Sequence, residues 1–259
     1  MAKPKIVMAG AGNVATHIAP AISFSGIGEV VQVYSRHIES AEALAAKIPG
    51  AKAVNAPAEI ADDADIYLIS VSDDAISSVV SALPKRDALY LHTSGSVGME
   101  ALAGLSERYG VFYPLQTFSK GVELDVRSVP LFVEGSSAAV EDQIREFASG
   151  LFGRVYHADS MTRKKMHISA VFACNFTNHL WSIAEKLLRR DNLPFDVLRP
   201  LLEETLRKAF VNSPSASQTG PAARGDRRVI DGHLELLDGN EKEIYKLLSE
   251  SIMARGGKG

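Results

Sequence analysis

The segment Ile6-Val7-Met8-Ala9-Gly10-Ala11-Gly12-Asn13-Val14-Ala15 places a short apolar run directly before a glycine-spaced turn and the start of a helical pattern. Val14, Ile18 and Ile22 then recur every four residues, which gives the following helix one apolar stripe to lay on a sheet. In a strand–turn–helix context this spacing predicts a dinucleotide cradle. Gly10 allows the tight turn, Gly12 lets the backbone approach a pyrophosphate, Ala15 permits close helix–sheet packing, and the helix amino end offers unpaired N–H groups to phosphate. Asn13 and Val14, within the turn, are expected to share in cofactor contact. Pro20 falls inside the helix and is expected to kink it.

Working outward, the next apolar run ends in Tyr34-Ser35-Arg36-His37, where an NAD-binding chain would carry an acid for the ribose hydroxyls. A hydroxyl at Ser35 and a guanidinium at Arg36 suit the 2′-phosphate of NADP instead. Further short apolar runs at Ile6 to Ala9, Val30 to Tyr34, Ile66 to Val71, Ala88 to Leu91, Val111 to Tyr113 and Leu131 to Val133 alternate with helical patterns. That rhythm predicts an α/β domain with a Rossmann-like, mostly parallel sheet over residues 1–157.

After His157 the strand signals stop. Residues 158–259 read as an all-α domain, with a long helix from Asp159-Ser160 to about Arg190, a second over 195–210, and two more over 226–237 and 241–254. On the long helix Lys164, His167, Val171, Asn175 and Asn178 fall at spacings of three and four and are expected to share a face, while Ile168, Val171, Phe172 and Phe176 suggest that the helix is buried and Cys174 reads as core.

In an open α/β sheet the ligand lies beyond the carboxyl ends of the strands, so the residues just past each run are the site candidates. Val71 and Ser94 are expected to touch the cofactor, and Gln116 and Thr117 the substrate. Asp73 and Asp74 read as helix caps rather than as a catalytic pair, and His92 is a possible proton donor. His167, Lys164 and Asn175 are the catalytic candidates, the first two for proton supply and Asn175 for orientation; Asn178 and Arg224 are substrate-binding candidates. Arg224 could grip a carboxylate through both arms of its fork, or pair with Asp226 to fix its loop, whose following helix would pack His233 inside.

With 259 residues, 46% hydrophobic and 23% charged, the chain has the composition of a folded globular protein, and a net charge of −3 argues against a nucleic-acid partner. Its one cysteine forms no internal disulfide, and the apolar run ending at Gly10 is too short for a membrane span or a secretory signal, so no membrane partner and a cytoplasmic setting are expected. No metal-ligand cluster is discernible.

Six segments together carry a family resemblance: GAGNVA at Gly10, VYSR ending at Arg36, HTSGS at His92, YPLQTFS at Tyr113, HISAVFACNFTNH at His167 and QTGPAARGD at Gln218. The chain resembles a bacterial family that joins a Rossmann-like NADP oxidoreductase domain to an uncharacterised helical C-terminal domain, similar to ketopantoate reductases, 3-hydroxyisobutyrate dehydrogenases and pyrroline-5-carboxylate reductases. The helical part resembles the C-terminal domain of 6-phosphogluconate dehydrogenase. The resemblance implies NADPH-dependent reduction of a small carbonyl or imine, for example a 2-oxo acid of the ketopantoate type, and a homodimer formed through the helical domain. A non-catalytic NADP-binding sensor or regulatory dimer is the alternative. The hydroxyacid dehydrogenases in this group use a helix lysine followed four residues later by asparagine, whereas Lys164 and Lys165 are followed by Ile168 and Ser169; histidine often stands where this chain has Tyr113.

Overall fold

The computed structural model describes residues 3–256. Its sheet runs β3-β2-β1-β4-β5-β6-β7-β8, from β1 (Lys5–Ala9), β2 (Glu29–Tyr34), β3 (Lys52–Val54), β4 (Ile66–Ile69), β5 (Leu89–His92), β6 (Tyr109–Pro114), β7 (Pro130–Gly135) and β8 (Arg154–His157). All neighbouring pairs are parallel except β6 with β7. The strand order reverses between β1 and β4, and an open sheet of this kind binds its ligand at that switch point.

Side-chain alternation divides the core between the two faces. Ile6 and Met8 point into one cluster with Ile18, Ile22, Leu91, Phe112 and Val133. Val7 and Ala9 point into the other with Tyr67, Ile69, Ile76 and Tyr90. Burial on both faces is why these strands read as continuous apolar runs rather than alternating ones. Tyr67 and Tyr90 stack at 4.7 Å between ring centroids, and their hydroxyls donate to the carbonyls of Ala61 and Pro84.

Helix α1 (Ala15–Ser25) runs through Pro20 and ends on Gly26, whose φ of 76° supplies the left-handed turn. A proline in a helix interior costs about 3 kcal/mol. Complete burial of Ala15, Ile18, Ala19 and Ile22 offsets it, so the helix continues through the proline. The other helices of this part are α2 (Ile38–Ala45), α3 (Asp73–Ala82) and α4 (Ala138–Ser149). Strands β3 and β8 escape sequence reading because both are short edge strands with little burial and no apolar run.

Helix α5 (Ser160–Ala170) starts where the sequence places it, with the Asp159 carboxylate accepting the Thr162 amide at 2.6 Å. A π-helical turn, Val171–Phe176, follows and leads into α6 (Thr177–Arg190). The remaining helices are α7 (Arg199–Asn212), α8 (Pro221–Arg224), α9 (Arg227–Leu236) and α10 (Gly239–Gly256). The chain forms two compact units that divide between Asn175 and Phe176, so α5 belongs with the sheet rather than with the later helices as a division after residue 157 would have it. Among the described residues no helix is long and apolar enough to cross a membrane.

The helical unit has little core of its own. Among its described residues Ala222, Ile230 and Ser249 are buried, while Leu201, Leu206, Phe210, Leu236 and Leu247 are each more than 60% exposed. The expected burial of the long helix is not found either: Ile168, Phe172 and Phe176 are exposed, as is Cys174, which is therefore not a core residue. His233 is likewise exposed and bonds the Tyr245 hydroxyl at 2.7 Å.

Candidate active site

The end of β1 passes into Gly10 with φ at +124°, a conformation that side-chain-bearing residues rarely adopt. A Cβ there would lie 2.1 Å from the Ser70 carbonyl oxygen at the end of β4, so the turn closes only with glycine. Backbone bonds from Gly10 N to Tyr34 O (2.8 Å) and from Ser70 N to Ala9 O (2.8 Å) tie the three strand ends together.

Beyond these ends lies a cavity of about 580 Å³ within the sheet unit. Gly10, Gly12, Asn13, Val14, Ser35, Arg36, Val71 and Ser94, the cofactor candidates, all line it, as do Gln116 and His167. Lys164, Asn175 and Thr117 are not among its lining residues, and Asn178 and Arg224 belong to the helical unit. The π-helical turn explains part of this. Its wider coil advances the chain by an extra residue, so the three-and-four spacing that joins His167 to Asn178 on paper does not persist past Val171. Arg224 does not pair with Asp226, whose carboxylate instead caps α9 by accepting the Val229 amide at 3.3 Å. Asp73 and Asp74 occupy the first turn of α3 after Ser72 in the cap position; they are not caps themselves, but carboxylates there face the positive end of the helix dipole.

At the other end of the cavity, Tyr113 at the tip of β6 meets His167 from α5, hydroxyl to Nδ1 at 3.1 Å. Gly95 makes room for this pair: a Cβ at that position would sit 2.8 Å from both His167 Nδ1 and Tyr113 Cζ. Burial pushes the Tyr113 phenol up from its ordinary value of 10, opposed by the charge of Arg163, so the hydroxyl keeps its proton at neutral pH. Among the described residues His167 Nε2 has no hydrogen-bond partner.

Two buried groups hold this end in place. Arg163, one turn before His167, is 1% exposed; it donates to the Glu134 carboxylate on β7, to the Val97 carbonyl at 2.6 Å and to Ser160 Oγ at 3.2 Å. Glu134 in turn accepts the Ser160 amide at 3.0 Å and its hydroxyl at 2.8 Å. The pair pins α5 to the sheet and so aims His167. His92, fully buried, accepts the Ser94 amide on Nδ1 at 3.2 Å and donates from Nε2 to the Gly98 carbonyl at 3.2 Å. Ser94 Oγ accepts the amides of Ser96 and Val97 at 3.0 Å each, so the segment from His92 to Gly98 is stapled internally. Burial, with the nearby Arg163 charge, lowers His92 to about 4. His92 does not line the cavity, so it shapes the loop and is not the proton donor that its place at the end of β5 suggests.

Sequence reasoning missed Arg163, Glu134 and Gly95. The signals for them were faint: a carboxylate at the end of an apolar strand, a cation one turn before a histidine, and a glycine between two serines.

The fold and the glycine-lined cavity define a Rossmann-type dinucleotide-binding protein of the oxidoreductase class. The chain belongs to the family of NADP oxidoreductases in which this domain precedes a helical domain of unknown function. Residues 5–92 match the model described as NADP oxidoreductase, coenzyme F420-dependent, and residues 129–252 match the domain of unknown function DUF2520. A Bacteroides fragilis protein, BF3122, provisionally named an NADP oxidoreductase, is 44% identical over 97% of this chain and 98% of its own, with a TM-score of 0.91. Protein TM1727 from Thermotoga maritima is 20% identical over 97% and 98%, with a TM-score of 0.71. A Streptomyces aurantiacus imine reductase shares the fold at 17% identity over 97% and 95%, with a TM-score of 0.67. No match was found among curated proteins.

Proposed function

We propose that the protein is an NADPH-dependent reductase that adds hydride to the carbon of a small C=N or C=O compound. The observation that carries this reading is one cavity reaching from Arg36, past the glycine turn, to the Tyr113–His167 pair. Backbone at Gly10 and Gly12 would hold the pyrophosphate and Arg36 with Ser35 the 2′-phosphate, and the bound nicotinamide supplies the hydride. The chain's own contribution is the proton. In the protonated His167 ring, Nδ1–H donates to the Tyr113 oxygen and Nε2–H is given to the substrate nitrogen or oxygen as the carbon accepts hydride. The neutral ring left behind keeps its Nδ1–H bond to Tyr113. Lys164 stands second as donor and Asn175 as an orienting group, although neither lines the cavity.

The surroundings of His167 favour an uncharged carbonyl or imine, since Tyr113, Pro114, Ser94 and Gly95 line that end. A 2-oxo acid of the ketopantoate type needs a cation for its carboxylate, and Arg224 is the candidate for that. Turnover of NADPH across a panel of cyclic imines and 2-oxo acids tests the reading. NADPH binding with no oxidation by any member would favour a non-catalytic NADP-binding sensor.

Arg36→Ala is expected to weaken NADPH by about 2 kcal/mol, the worth of a charge-assisted hydrogen bond, and to leave NADH nearly unchanged. Isothermal titration with both cofactors checks it; equal losses would remove Arg36 from the 2′-phosphate.

The exposed leucines and Phe210 of the helical unit favour a homodimer formed through that unit, because a lone copy leaves its apolar faces in water. Sedimentation should therefore give about twice the 27.8 kDa of one chain; a monomer at micromolar concentration would exclude it. We place the protein in the cytoplasm, consistent with its single free cysteine.

A further inference from the structure

The segment between β6 and β7 contains a strap that is fixed to the opening helix. His17, in the first turn of α1, donates from Nε2 to the Ser119 carbonyl at 3.0 Å, and its ring lies 5.5 Å from that of Phe118. Phe118 is half-buried against the core cluster that also contains Ile18 and Ile22. The strap is thus held at two points, by a polar bond and by an apolar anchor, on the same helix whose amino end faces the cavity. Its next residue, Lys120, lines that cavity and forms no ion pair with any described residue. Arg36 lines it too and is likewise outside any ion pair with the described residues. Two uncommitted cations thus share a cavity whose one lining carboxylate is Asp73.

One cation is accounted for by a 2′-phosphate beyond β2. We infer that Lys120 is a second phosphate ligand, directed to the pyrophosphate, and that His17 is the positioning residue that holds its strap across the cofactor. The inference rests on the dinucleotide reading of the cavity and adds to it a contact common to NADPH and NADH. The geometry favours pyrophosphate over 2′-phosphate because the strap is anchored on α1, beside the glycine turn, while Arg36 follows β2. A lysine is apt there: a mobile point charge can neutralise a diphosphate without the fixed fork that a single phosphate rewards.

Titration of the full chain with NADPH, NADH and adenosine 2′-monophosphate separates the possibilities, since the last carries a 2′-phosphate and no pyrophosphate. Lys120→Gln is expected to raise Kd for both dinucleotides about tenfold, as befits loss of one charged hydrogen bond, and to leave the monophosphate unchanged. Arg36→Ala should do the reverse for NADH and the monophosphate. His17→Ala should weaken both dinucleotides, and combining it with Lys120→Gln should add little, because the two act through one strap. Unchanged dinucleotide affinity in Lys120→Gln overturns the inference, and so does a loss confined to NADPH and the monophosphate. Fully additive losses remove His17 from its positioning role. Failure of the unaltered protein to bind either dinucleotide would instead overturn the cofactor reading itself.

Discussion

His167→Ala is expected to lower kcat for NADPH-dependent reduction by about 10²- to 10³-fold, the usual contribution of a positioned general acid, while leaving Kd for NADPH close to that of the unaltered protein. The two effects separate because His167 lies at the far end of the cavity from Arg36 and touches Tyr113 rather than the glycine turn. Tyr113→Phe keeps the ring and removes the oxygen that the Nδ1–H would donate to. Its loss should be smaller than that of His167→Ala, since the imidazole stays in place and only the partner of its Nδ1 is removed. Gly95→Ala gives a third, independent arm. Its methyl would press on both partners at 2.8 Å and should depress turnover without removing any polar atom. Stopped-flow measurement of NADPH oxidation at saturating substrate separates chemistry from binding. Unchanged turnover in His167→Ala would remove it from the proton-transfer role and return attention to Lys164.

The parts of this site that the sequence makes legible are those where backbone geometry dictates residue type. Gly10 must adopt a positive φ against the Ser70 carbonyl, and so it appears as an invariant demand of a strand–turn–helix pattern. Arg36 follows from its place after the second apolar run. The strands with two buried faces announce themselves as apolar runs, whereas β3 and β8, at the edges, carry no such signal. Contacts between distant segments are a different matter. Tyr113 and His167 are 54 residues apart and Arg163 and Glu134 are 29 apart, and periodicity says nothing about which strand end meets which helix. On the helix itself the three-and-four rule assumes an unbroken α-coil, and the π-turn at Val171–Phe176 breaks that assumption. Apolar residue type alone did not foretell burial there, since Ile168, Phe172 and Phe176 are exposed.

The second large effect concerns acid stability and comes from His92, whose place at the end of β5 is easily mistaken for a catalytic one. In the unfolded chain its imidazole takes up a proton near 6.5; in the folded protein, fully buried with both ring nitrogens engaged, it does so only at about 4. Between those values the unfolded state binds more protons than the native state, so stability rises with pH. The contribution of His92 is therefore complete above about 6.5 and is lost as the pH falls towards 4. A difference of this size corresponds to a loss of about 3 kcal/mol across the window. Carboxylates held low by partners, such as Asp159 at the start of α5, lose their contribution in the same direction but only below about 4, so the upper part of the window belongs to the histidine. His92→Gln can keep a donor towards the Gly98 carbonyl and does not titrate. Urea unfolding at intervals from pH 7.5 to 4.5 should show a falling midpoint for the unaltered protein and a flatter profile for the variant. Parallel profiles would mean that the buried ring exchanges its proton as freely as in the unfolded chain, and the loop from His92 to Gly98 would then owe its shape to Ser94 and Arg163 alone.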